Sequence, residues 1–270
     1  MHRIRAWTTA ALIALAGGVF FMLPPIPQDP AYHNFADQRA FLGLPRCLDV
    51  LSNVAFLIVG LWGLAFLTRK SSLKRGGTFL ETRERWTYFV FFAGVFLTAF
   101  GSAYYHLAPD NTRLVYDRLP MTVGFMALLA AVISERVDTK LGALLFVPLL
   151  ALGIASVLYW RWTELRGHDD LRLYGIVQFG SIAAIVSLAS FWPSRYTRGR
   201  DIFVIAGLYG LAKLFEWLDK TIFALVRIVS GHTLKHLVAA LACYWVVHML
   251  VSRNSKLGSL HESHTAELHA

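Results

Sequence analysis

The chain reads as an all-α polytopic membrane bundle, with a seven-helix core preceded by one N-terminal anchor helix. Three observations predict this class. Hydrophobic residues make up 56% of the sequence and charged residues only 16%, with a mean hydropathy of +0.50, which is a membrane composition rather than a soluble one. Eight apolar runs are each long enough for the roughly 20-residue helix that crosses a bilayer. They cover approximately residues 6–23, 50–67, 86–106, 115–133, 141–160, 171–192, 202–223 and 232–251. The charged residues gather between these runs instead of being scattered through them.

Taken in order, the first run follows His2, Arg3 and Arg5 and ends in FMLPPIPQ, without a small-residue cleavage pattern. It is therefore expected to be an uncleaved signal anchor, residues 1–24. Residues 25–49 carry prolines, a glycine and mixed charge, and are expected as an extracytoplasmic segment on the outer surface. Residues 50–252 form the seven-helix domain, and 253–270 a polar cytoplasmic tail. Trp86, Trp160, Trp162 and Trp192 fall at run ends, where interfacial aromatics belong.

Lysine and arginine asymmetry sets the orientation. Arg69, Lys70, Lys74, Arg75, Arg83 and Arg85 follow the second run, Arg195, Arg198 and Arg200 the sixth, and Arg253 and Lys256 the last. With eight spans all of these share one side, so both termini are expected in the cytoplasm. The net charge of +9 is thereby read as topology, with the bilayer as partner and no nucleic acid. The two cysteines, Cys47 and Cys243, support neither a disulfide framework nor a thiolate cluster.

The chemistry concentrates in SAYYHLAPDNTRLVYD, Ser102 to Asp117, and in GHTLKH, which opens the last run. His232 and His236 are four apart, so a helix puts both imidazoles on one face, one turn apart. Ser102 and His106 repeat that spacing on the third run. In the expected topology His106, Asp117 and His232 all lie at the outer ends of their helices. His106, His232 and His236 can then offer three nitrogens to a zinc ion, leaving its fourth position open to water, as in catalytic rather than structural sites. Asp117 is placed to move protons and Ser102 to hydrogen-bond a developing oxyanion. An ionisable group just inside a span is costly without use, although pairing of Asp117 with Arg118 or Arg113 is the plain alternative. Lys213, Glu216, Asp219 and Lys220 are spaced for ion pairs within one helix, or for a polar pocket beside the metal. Asp219 is the candidate for supporting the ligands from behind. His248 lies about 18 Å beyond His236 along a helix axis, too far to join.

With these residues in place the chain resembles the alkaline ceramidase family, within a superfamily of seven-helix zinc membrane hydrolases. The matching text is GSAYYH, YDRLPM and HTLKH, with LSNVAF at Ser52 and Asn53 and the aspartate of WLDKTIF beside them. The resemblance implies Zn²⁺ on His106, His232 and His236, with Ser102 and Asp117 beside the zinc-bound water. It also implies hydrolysis of the amide of a ceramide-like membrane lipid. The chain departs from the family where Arg46 stands at the offset of a calcium-binding glutamate, and where Leu234 and Lys235 stand within HxxxH in place of aromatics. Two rival readings are a zinc-stapled receptor or transporter without activity, and haem held by His106 with His232 or His236.

Overall fold

The computed structural model describes residues 17–18, 21–69 and 78–256. Eight helices follow one another in chain order: α1 (Cys47–Thr68), α2 (Thr82–Leu107), α3 (Asn111–Arg136), α4 (Thr139–Leu165), α5 (Arg172–Phe191), α6 (Asp201–Trp217), α7 (Asp219–Val226) and α8 (Gly231–Ser252). No strand occurs among the described residues. Six of the helices, all but α6 and α7, are long and apolar enough to cross a membrane. The run expected as one span over 202–223 is instead two helices that meet at Leu218. The expected anchor helix falls largely outside the described residues, as do Lys70, Lys74 and Arg75 and the tail beyond Lys256.

Local chemistry explains where the helices start. Asp110, Asp138 and Ser230 cap α3, α4 and α8, each accepting a backbone N–H three residues on, at 2.7, 2.8 and 3.0 Å. Each cap satisfies a donor the helix leaves orphaned. Three residues, Ala108 to Asp110, join α2 to α3, so the two helices return antiparallel side by side. Along α4 the large apolar side chains Leu144, Val147, Leu152 and Leu158 are exposed, which suits a lipid-facing surface where no water must be met. The core lies instead between α2, α3 and α8, around Tyr88, Phe92, Ala127 and Val246.

Polar groups close both ends of the bundle. At one end Arg195 donates to the buried Glu84 at 2.6 Å, and Arg253 to the buried Glu135 at 2.5 Å. Tyr88 donates to Glu135 at 2.8 Å, and Tyr196 to Glu84. These carboxylates are buried but paired, the condition for keeping charge away from water.

At the other end the segment before α1, expected simply on the surface, is folded across the mouth of the bundle. Gln28 N–H donates to Asp169, Leu171 N–H to the carbonyl of Ile26, and Ala36 N–H to Asp219, at 2.8, 2.8 and 2.9 Å. Arg46 donates to the carbonyls of His106 and Leu107 at 2.7 and 2.8 Å, placing a cation on the unsatisfied C-terminus of α2. Arg39 grips Asp37 at 2.7 Å and also donates to the carbonyls of Arg227 and Ile228. That guanidinium holds the Asp37 carboxyl below the usual carboxylate range, against the opposing effect of burial.

Candidate metal centre

Two glycines set the backbone distances on which the centre depends. A Cβ on Gly101 would lie 2.0 Å from the carbonyl oxygen of Tyr116. Only glycine lets α3 lie this close to α2, and the crossing brings Ser102 on α2 beside Asp117 on α3. A Cβ on Gly231 would stand 2.3 Å from the Phe215 carbonyl and 2.7 Å from Asp219 Cα. The first turn of α8 is thereby seated against the α6–α7 break.

His106 from α2 and His232 and His236 from α8 converge between these two contacts. All three are buried, and one ligand nitrogen from each lies within 4.8 Å of the others. Their ring centroids are 4.7 to 4.9 Å apart. The Nε2 atoms of His106 and His232 are separated by 3.2 Å. At a Zn–N length of 2.0–2.1 Å, two ligands of a tetrahedral zinc stand about 3.3–3.4 Å apart, so the observed spacing suits a shared cation.

Hydrogen-bond accounting fixes the tautomer of His236. Ser52 Oγ lies 2.9 Å from the carbonyl of Asp49, which can only accept, and 2.7 Å from His236 Nδ1. The single hydroxyl proton goes to the carbonyl, so Nδ1–H must donate to Ser52 Oγ. That leaves the lone pair on Nε2, the nitrogen free to bind metal. A ligand histidine oriented through its other nitrogen is the usual arrangement at such sites. Among the described residues His106 Nδ1 has no such partner. Asp219, the candidate for supporting the ligands, contacts one of them through that ligand's backbone. Its carboxylate accepts the backbone N–H of His232 at 2.8 Å and that of Ala36 at 2.9 Å. It therefore ties the first turn of α8 to the segment over the mouth.

Ser102 and Asp117 are both buried and face one another across the α2–α3 crossing. The expected alternative, an ion pair with a neighbouring arginine, does not form. Arg113 pairs with Asp110 at 3.8 Å, and Arg118 donates to Gln28 at 2.6 Å while its guanidinium stacks on Trp160 and Tyr174. Ser102, Asp117 and His236 instead share the wall of a cavity that continues between α3 on one side and α6 and α8 on the other. Its lining is otherwise mostly apolar, including Phe56, Phe91, Leu128 and Ile205, and it encloses ≈ 840 Å³ counting the space open at its mouth.

Several contributors carried little sequence signal. Phe35, from the segment across the mouth, sets its ring against His106 and His232 at centroid distances of 4.7 and 4.4 Å. His33 bridges Tyr105 and Asn111 at 2.8 and 2.9 Å, bolting that segment to α2 and α3. Lys235 reaches Glu216 at 2.6 Å, and Glu216 also pairs with Lys213. His248 interacts with Arg198 at 3.1 Å, apart from the centre.

Compared with known proteins, the chain matches no family model and no curated protein. The geometry is consequently the firmest statement of its chemistry: a buried group of three histidines able to hold a metal ion, in a multi-pass helical membrane protein.

Proposed function

We propose that the protein is a zinc-dependent intramembrane hydrolase that cleaves the amide bond of a ceramide-like lipid to an amine and a fatty acid. One observation carries the proposal. Three imidazoles converge, and one of them, His236, shares the wall of an apolar cavity with Ser102 and Asp117, whereas a purely structural zinc is enclosed by four protein ligands. His106, His232 and His236 would hold the ion, which when bound supplies Lewis acidity and a water acidified towards neutrality.

The chain's own residues do the rest. The cavity takes the acyl chain and sets the amide carbonyl beside Ser102 and Asp117. Asp117 accepts a proton as the water oxygen bonds to the carbonyl carbon. Ser102, beside Asp117, turns its hydroxyl to the oxygen on which negative charge develops. The C–N bond breaks as Asp117 returns the proton to the leaving nitrogen, so water is consumed and both products are neutral before they ionise. Phe35 and the segment around it keep bulk water from the centre. In this reading substrate arrives sideways from the lipid, the basic loops are taken as cytoplasmic together with both termini, and the centre lies towards the extracytoplasmic leaflet.

The test is metal content by mass spectrometry, together with fatty acid release from a panel of N-acyl lipids by wild type and Asp117→Asn. The expected result is about one zinc per chain by the three-histidine argument, with release by the wild type alone. Absence of zinc, or equal turnover by the variant, overturns the proposal.

A further inference from the structure

A second, smaller chamber shares Asp117, Met121, Tyr209, Lys235 and Ala239 with the apolar cavity. Its other walls include Lys213, Glu216, Gln178 and Tyr174. Two ammonium groups here share one carboxylate, since Lys213 and Lys235 both pair with Glu216. Arg118 and Asp117 are the remaining charged groups near them. Counting all five gives three cations against two carboxylates, an excess of one positive charge, before any metal is added. Arg118 donates to Gln28 and stacks on Trp160 and Tyr174, with its buried Nη1 unpartnered, and Asp117 lies on the Ser102 side. Glu216 can neutralise only one of the two lysines that pair with it. Buried charge is ordinarily paired, and Tyr209 adds a buried hydroxyl that faces the Gln178 side chain without reaching it within 3.5 Å.

We propose that this chamber receives a small anionic group carried by the substrate next to its amide, a carboxylate as in an N-acyl amino acid. The inference rests on the hydrolase reading and narrows its substrate class. The chamber adjoins Asp117, so an anion held by Lys213, Lys235 and Tyr209 sits one or two bonds from the scissile nitrogen while the acyl chain fills the apolar cavity. Lys235, between the two histidines of α8, thereby becomes a determinant of the head group.

The test compares N-palmitoylglycine with N-palmitoylglycinamide, which has nearly the same shape but no charge. Binding and fatty acid release are measured on the zinc-loaded protein in a neutral detergent. The acid is expected to bind about 10- to 100-fold more tightly, the range for charge-assisted hydrogen bonds away from water. In Lys213→Gln, checked for retained zinc, the acid-to-amide ratio falls towards one. Equal affinities in the wild type, which need no variant to interpret, overturn the anion site, as does a ratio that Lys213→Gln leaves unchanged. Preference for the acid without release from either lipid keeps the anion site and rejects the hydrolase reading. Release from both with equal affinity does the reverse.

Discussion

Replacing Ser52 by alanine tests the tautomer argument at the one ligand whose orientation is fully accounted for. Ser52 Oγ accepts from His236 Nδ1 at 2.7 Å while its own proton goes to the Asp49 carbonyl. Loss of a group that orients a metal-binding histidine typically weakens metal affinity 10- to 100-fold, or about 1.4–2.7 kcal/mol. The Asp49 carbonyl also faces the His236 ring and can keep the proton on Nδ1, so the expected loss is at the lower end, about tenfold. Competition with a chromophoric chelator, on protein in neutral micelles, reads this directly. Ser52→Thr keeps the hydroxyl and is expected to retain most of the affinity. Wild-type zinc affinity in Ser52→Ala would refute the reasoning, because Ser52 would then have no part in directing Nε2 to the metal.

Particular contacts elsewhere support three more tests. In Gly101→Ala the new Cβ meets the Tyr116 carbonyl at 2.0 Å, where less than 3.0 Å is not tolerated, so α2 and α3 must part by at least 1.0 Å. The expected cost is about 1–3 kcal/mol of stability and about 100-fold in turnover, read by thermal unfolding and fatty acid release. Asp117→Asn is expected to bind zinc as the wild type does and to lose turnover by about 10²–10⁴-fold; an inactive zinc-stapled receptor would keep its function in this variant. Asp37 has a depressed folded-state pKa, because Arg39 donates to it. Its contribution is therefore fully present above the unfolded value of about 3.9 and lost as pH falls through the lower folded value. Hydrogen exchange over residues 28–46 should be faster in Asp37→Asn than in the wild type at pH 7, with the two converging once Asp37 is protonated.

Periodicity and hydropathy account for the part of the centre that is legible in the sequence. The HxxxH face of α8 and the Ser102–His106 face of α2 are set by 3.6 residues per turn, and their convergence comes from the up-and-down course of the apolar runs. The position of Asp117 beside Ser102 is legible only in part, because the close crossing depends on Gly101, and a lone glycine in an apolar run has many uses. Phe35, His33 and Arg46 gave no readable signal. Each acts through a contact with helices at least 60 residues away, formed by a segment without regular periodicity. The acidic and basic residues around the α6–α7 break were legible only in part. Lys213 and Glu216 do pair within the helix, but Lys235 joins them from α8 and Asp219 turns to backbone N–H groups. Spacing along one helix cannot disclose such a cross-helix partner.

If the protein is the proposed lipid hydrolase, the two closed ends of the bundle determine how its substrate reaches the centre. At the far end Glu84, Glu135, Arg195 and Arg253 consume one another's charge, and no water-lined path is needed to keep them stable. At the near end Phe35 covers two of the three imidazoles, and Arg46, Asp219 and His33 hold its segment down. The apolar cavity lies between α3 and the α6–α8 pair, so in the proposed function a long acyl chain would enter from the bilayer without crossing either polar cap. If that is the route, widening the covered end should not speed turnover of a long-chain substrate. Phe35→Ala is expected to leave its KM within about twofold while lowering kcat through admitted water. Leu128→Trp, which narrows the cavity, is expected to raise KM for long acyl chains more than for short ones. A Phe35→Ala protein with improved kcat/KM for the long chain would instead place the substrate path through the covered mouth.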